Sequence, residues 1–168
     1  MVDIRLLLFD VDGVLTDGTI LVHADGSESK QFNIRDGAGM VWAQRAGLSI
    51  GLLSARTAEA TAARAAQLGI KIVSQGGTDK LAEYERILAD AGLGDHQVGY
   101  MGDDLQDLPV LRRAGFSAAP ADAAPEVRAA VQWISPSPGG RGAARECIEH
   151  VLRAQGHWQG AVAGFLDC

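Results

Sequence analysis

The 168-residue chain has only two cysteines, Cys147 and Cys168, too few for a disulfide framework or a thiolate metal cluster. Both read as free thiols of a reducing compartment, and the expected location is cytoplasmic. No apolar run approaches the ~20 residues that a membrane span requires. The opening MVDIRLLLFDVDG is not expected to act as a signal peptide, because acids interrupt its apolar segment after four residues. Positive charge is in deficit. Fifteen Lys and Arg against 21 Asp and Glu give a formal net charge of −6, so neither nucleic acid nor an anionic membrane is an expected partner. The GxxxxGK[ST] phosphate loop of a nucleotide kinase is missing. The four histidines, His23, His96, His150 and His157, match no metal-ligand spacing, and no internal repeat is visible. With 47% hydrophobic and 21% charged residues, the composition is that of a soluble globular protein. The length suits one domain over residues 1–168 with room for a proper core.

Short apolar runs alternate with helix-like segments. IRLLLFD (4–10), LSIGLLS (48–54), IKIVS (70–74) and QVGYMGD (97–103) read as buried strands of a parallel sheet. Between them, segments 36–47, 57–69 and 78–92 begin near Thr or Asp and end at Gly, as capped helices do. Further short units follow, with a final helix expected over about 142–155. The alternation predicts an α/β fold, a Rossmann-like doubly wound parallel sheet with helices on both faces. One stretch breaks the pattern. In GTILVHADGSESKQFN (18–33), Thr19–Val22 and Lys30–Phe32 flank an Asp-Gly turn signal and read as a projecting β-hairpin. A lone two-stranded hairpin is marginal in water, so it is expected to pack on something, another subunit being one option. Residues 135–145 read as a loop and 156–168 as a Gly-broken tail.

Ligands of open α/β sheets bind outside the carboxyl ends of the strands. Asp10, Ser54 and Asp103 fall at such ends, and Lys80 opens a helix near another. Two carboxylates, a hydroxyl and an ammonium on one edge suit metal-assisted attack on a phosphate. Asp10 is a candidate nucleophile, able to form an aspartyl-phosphate. Asp12, two residues on, can lie on the same side of an extended chain and serve as general acid and base. A carboxylate and a phosphate dianion repel, so a divalent cation held by hard oxygens is expected, with Asp103 as a ligand. Asp104 is the expected metal-supporting residue. Asp107 is its rival, and reads equally well as a cap for the helix that follows. Ser54 and Lys80 would hold the transferring oxygens.

In this order, FDVDGVLTDG, LLSAR, the DK at 79–80 and GDDLQDLP (102–109) resemble the four motifs of the haloacid dehalogenase superfamily of phosphatases. Together with FNIRDGAGM, QGGTDK and GGRGAARECIEHVL, they make nearly the whole chain similar to the 3-deoxy-D-manno-octulosonate 8-phosphate (KDO-8-phosphate) phosphatases. The resemblance implies a capless core with a projecting hairpin, a homotetramer built through such hairpins, and Mg²⁺ as cofactor. It implies Asp10 as nucleophile and Asp12 as acid/base, with Asp10, the Asp12 main-chain carbonyl and Asp103 holding the metal. It also implies that the Gly-Gly-x-Gly segment, residues 139–142, reaches a neighbouring subunit's site. The expected substrate is a small phosphorylated sugar acid, as a step in lipopolysaccharide precursor synthesis, with Arg35, Asp36, Gly37, Arg56 and Arg141 as substrate contacts.

Spacing agrees with a capless core independently, because the intervals from Asp10 to Ser54 and from Ser54 to Lys80 leave no room for a cap domain. One departure is SAR at 54–56, where related sequences commonly have Gly in the middle. Competing functions are a nine-carbon keto-acid (nononate) phosphatase, a macromolecular phosphatase, and a non-catalytic oligomerisation module. The complete set of acids at 10, 12 and 103 argues against the last.

Overall fold

A computed structural model describes residues 3–166, with side chains described to residue 163. Six parallel strands form the central sheet: β1 (Leu6–Phe9), β4 (Ser49–Ser54), β5 (Ile72–Gln75), β6 (Val98–Met101), β7 (Phe116–Ala119) and β8 (Trp133–Ile134). A separate antiparallel pair, β2 (Leu21–Val22) and β3 (Glu28–Ser29), makes the hairpin. The spatial order β5-β4-β1-β6-β7-β8 is the Rossmann arrangement, with the chain reversing direction across the sheet beside β1. Phe9 lies level with Leu52 of β4 and with Met101 of β6, so these three strands finish together at one edge.

The sheet is covered on both faces because its strands are apolar on both. Leu7 and Phe9 pack with Met40 and Ala43 of α1 (Ile34–Arg45), Ala65 of α2 (Glu59–Gln67) and Ile148 and Val151 of α6 (Ala143–Ala154). Leu6 and Leu8 face the other way. They meet Tyr84, Ile87 and Leu88 of α3 (Lys80–Ala91), Val110 and Leu111 of α4 (Leu108–Leu111) and Val127 of α5 (Pro125–Ala130). This is the period-two alternation of a strand buried on both sides.

Short polar side chains set the starts of two helices. Asn33 caps α1 by accepting from the Arg35 amide at 2.8 Å. Asp79 accepts from the amides of Leu81 and Ala82, which fixes Lys80 as the first helical residue of α3. The start of α6 has no cap of its own; Asp36 of α1 supplies one by accepting from the Arg145 amide at 2.8 Å.

Two details differ from the sequence reading. The return strand of the hairpin is Glu28–Ser29 rather than 30–32. Residues 158–166, expected as a broken tail, form α7 (Trp158–Leu166). Its Trp158 ring carries the Arg153 guanidinium at 4.4 Å and packs against the core, which holds the helix to its own chain despite the glycines. Cys147 is a buried free thiol, whereas Cys168 lies outside the described residues. Among the described residues, no helix is long and apolar enough to cross a membrane.

Candidate active site

The edge where β1, β4 and β6 end carries a buried network of charges. Asp10 follows β1 directly, and its amide donates to the Met101 carbonyl at 3.0 Å, which ties it to β6. Lys80, first in α3, extends its ammonium to Asp10 Oδ2 at 3.0 Å and to Asp107 Oδ1 at 2.6 Å. Tyr100 of β6 donates its hydroxyl to the same Asp107 oxygen at 2.6 Å. The other Asp107 oxygen accepts from the amides of Asp103 and Asp104 at 3.0 and 3.2 Å. Asp107 thus has both oxygens committed to shaping the loop after β6 and holding Lys80.

Burial and mutual repulsion show in the acidities. Desolvation, then the Asp107 charge, push Asp10 up to about 6 against the opposing pull of Lys80. Desolvation, then the charges of Asp10 and Asp107, push Asp103 up to about 8. Burial alone would lower Lys80, but the two flanking carboxylates outweigh it and hold the ammonium charged.

The donors fit a hard divalent cation. One oxygen each from Asp10, Asp103 and Asp107 lies within 4.8 Å of the others. Asp103 Oδ1 is buried without a hydrogen-bond partner, an orphaned acceptor of the kind a cation satisfies. The Gly13 backbone comes so close that a Cβ there would sit 1.9 Å from Asp103 Oδ2, with φ at +89°. Only glycine lets the first loop and the β6 loop approach in this way.

This cluster makes a stability prediction. Without a cation, the folded chain binds more protons than the unfolded chain between the ordinary Asp value of 3.8 and about 8. Stability is therefore expected to fall as pH rises through that window. Mg²⁺ is expected to flatten the slope by giving the ionised oxygens a partner. Thermal melts across pH in EDTA and in Mg²⁺ check this; a metal-free melting temperature that climbs steadily over the window would refute it.

The other expected residues divide. Ser54 is buried at the end of β4, where its Oγ accepts from the Arg56 amide at 3.3 Å and keeps its own proton free to donate. Arg56 reaches the edge, with Nε 3.8 Å from Asp12 Oδ2 and a terminal nitrogen 2.7 Å from Glu28 of the hairpin. Arg35 is exposed at the start of α1. Asp36 is buried as the cap of α6, and a Cβ on Gly37 would meet the Arg64 guanidinium at 2.3 Å, so both take part in helix packing. Asp104 is exposed and accepts from the Leu105 amide, while the buried Asp107 braces the Asp103 loop.

The 139–142 loop has its partners within the same chain. A Cβ on Gly139 would lie 1.9 Å from the Gly13 carbonyl oxygen, and the Gly140 amide donates to the Val14 carbonyl at 2.9 Å. Arg141, largely exposed, stands 3.8 Å from Asp17, whose carboxylate also accepts from the Thr19 amide where the chain leaves for the hairpin.

Sequence reasoning missed Lys30. Its ammonium lies 2.6 and 2.8 Å from the two oxygens of Asp12.

A family model described as haloacid dehalogenase-like hydrolase matches residues 50–146. The 3-deoxy-D-manno-octulosonate 8-phosphate phosphatase of Yersinia pestis is 41% identical over 159 residues, covering 95% of this chain and 85% of the relative. Its crystal structure superposes with a TM-score of 0.91, covering 94% of this chain and 85% of that one. The corresponding phosphatase of Moraxella catarrhalis, solved with magnesium, phosphate and KDO, is 34% identical with a TM-score of 0.94, covering 96% and 93% of the two chains.

Proposed function

The chain belongs to the haloacid dehalogenase-like hydrolases, among the KDO-8-phosphate phosphatases, and on that premise we propose that residues 1–168 act as one Mg²⁺-dependent phosphatase domain that releases phosphate from KDO-8-phosphate. The observation that carries the reading is the charge cluster. A buried carboxylate at the end of the central strand is held by Lys80, beside an orphaned Asp103 oxygen.

Asp10 and Asp103, with the Asp12 main-chain carbonyl, would hold Mg²⁺, while Asp107 braces the Asp103 loop. When bound, the ion supplies charge neutralisation and polarises the phosphoryl group. The free oxygen of Asp10 attacks phosphorus, and the ester bond to the sugar breaks. Asp12 gives a proton to the leaving oxygen, then takes one from the water that cleaves the aspartyl-phosphate. Lys80 keeps Asp10 in place and offsets its charge, and Ser54 donates to a phosphoryl oxygen. Arg56, beside Asp12 at this edge, would meet the substrate's carboxylate.

A phosphate-release panel tests this reading. KDO-8-phosphate is expected to outpace the nine-carbon nononate 9-phosphate, simple sugar phosphates and a phosphopeptide, with every rate abolished by EDTA and restored by Mg²⁺. Preference for another substrate, or undiminished turnover without metal, would overturn it. The reading also places the enzyme in the cytoplasm as a homotetramer joined through its hairpins, supported by Leu21 and Val22, which are 61% and 62% exposed on β2. Light scattering is expected to give the tetramer mass; a monomer at working concentration removes that part.

A further inference from the structure

The hairpin does more than project. Its return strand comes back across the site, with Glu28 on Arg56 at 2.7 Å and Lys30 on both oxygens of Asp12 at 2.6 and 2.8 Å. The Lys30 side chain is 0% exposed and that of Asp12 is 19% exposed. Withdrawing an ammonium from water is costly unless a well-placed anion meets it, so this pair holds the strand at one position over the loop after β1. The first loop itself gives the Asp12 side chain little else. Its neighbours there are Gly13, which has no side chain, and Thr16, whose hydroxyl turns to backbone groups. The Arg56 nitrogen lies at 3.8 Å, beyond hydrogen-bond reach.

We propose that Lys30 is the positioning residue for the Asp12 acid/base, so that the hairpin of a chain directs proton transfer in that chain's own site. The proposal rests on the phosphatase reading above. In the first chemical step, an Asp10 oxygen bonds to phosphorus and the ester P–O bond breaks. The bonding pair goes to the leaving oxygen, and the proton moves to it from one oxygen of the Asp12 carboxyl. The other oxygen of that carboxyl stays on the Lys30 ammonium throughout. Without Lys30, the carboxyl turns freely about its side-chain bonds and seldom faces the leaving oxygen. Proton delivery suffers and the attack by Asp10 does not.

Leaving groups separate this role from simple anchoring of the hairpin. A sugar alkoxide needs the proton as it departs, whereas a nitrophenolate carries its own negative charge. With enzyme in excess and Mg²⁺ present, the first-turnover rate of alcohol appearance reads the phosphoryl transfer alone. Lys30→Met is expected to slow that rate by about 10²-fold for KDO-8-phosphate and by less than about tenfold for p-nitrophenyl phosphate. Lys30→Arg keeps the cation and can grip both oxygens, so it is expected to recover most of the lost rate. Nitrophenol release by the methionine variant also verifies its fold and nucleophile. Equal losses on the two substrates, a change confined to KM, or an arginine variant no better than methionine would each overturn the assignment. A wild-type enzyme inert towards both substrates would instead remove the phosphatase reading, and this proposal with it.

Discussion

Asp10→Asn is expected to reduce phosphate release by at least about 10³-fold while leaving the melting temperature unchanged or raised. The two halves of this result have separate causes. Asn has the shape of Asp, so the side chain that is 2% exposed at the end of β1 still fills its place. Its amide oxygen can still accept from Lys80. Desolvation and the Asp107 charge both act against an ionised Asp10, and removing that negative charge relieves the strain they describe. An amide is nevertheless no nucleophile towards phosphorus, and no aspartyl-phosphate can form at this position. Steady-state phosphate release and a thermal melt of the same preparation check both halves. A variant retaining about a tenth of wild-type turnover would remove Asp10 as the nucleophile. A collapsed melting temperature would show that the buried charge supports the fold instead of straining it.

Lys80→Met is expected to damage fold and activity together. Its ammonium lies within 3.0 Å of Asp10 and 2.6 Å of Asp107, and its side chain is 2% exposed. Methionine fills a similar volume but leaves two buried carboxylates without their cation. Breaking a buried ion pair by removing one partner costs about 3–5 kcal/mol, which lowers the melting temperature by roughly 10 °C for a chain of this size. The loss depends on pH in a known direction. In acid Asp10, already pushed up to about 6, takes up a proton and ceases to repel its neighbours, so the gap between variant and wild type is expected to narrow as pH falls. A gap that widens towards acid, or a variant as stable as wild type at neutral pH, would contradict the network described here.

Strand ends and the first loop were legible because they obey local rules. Apolar quartets such as Leu6–Phe9 have no stable position other than the middle of a covered sheet. Asp10, Ser54 and Asp103 followed from those strands, and Lys80 followed from the Asp79 cap. What escaped was set by contacts distant in sequence. Asp36 sits beside Arg35 in a stretch that the resemblance gives as substrate contacts, and its partner is the Arg145 amide, 109 residues on. Asp104 was the expected support and Asp107 its rival. Only the turn at Leu105–Asp107 decides which one points inward to Tyr100 and Lys80. Lys30 read only as a residue of the hairpin until the hairpin folded back over Asp12. The helix at Trp158–Leu166 depends on stacking against arginines of α6, which no local pattern announces.

The contact of Gly139 with the Gly13 carbonyl has a consequence for the order in which the protein becomes competent. Asp10, Asp12 and Gly13 are synthesised more than a hundred residues before the segment that seats their loop. Contacts this distant form late and keep the nucleophile's loop unsupported until then. A polypeptide stalled or clipped before Pro138 would carry Asp10, Ser54, Lys80 and Asp103, and still lack the strut on which the first of them rests.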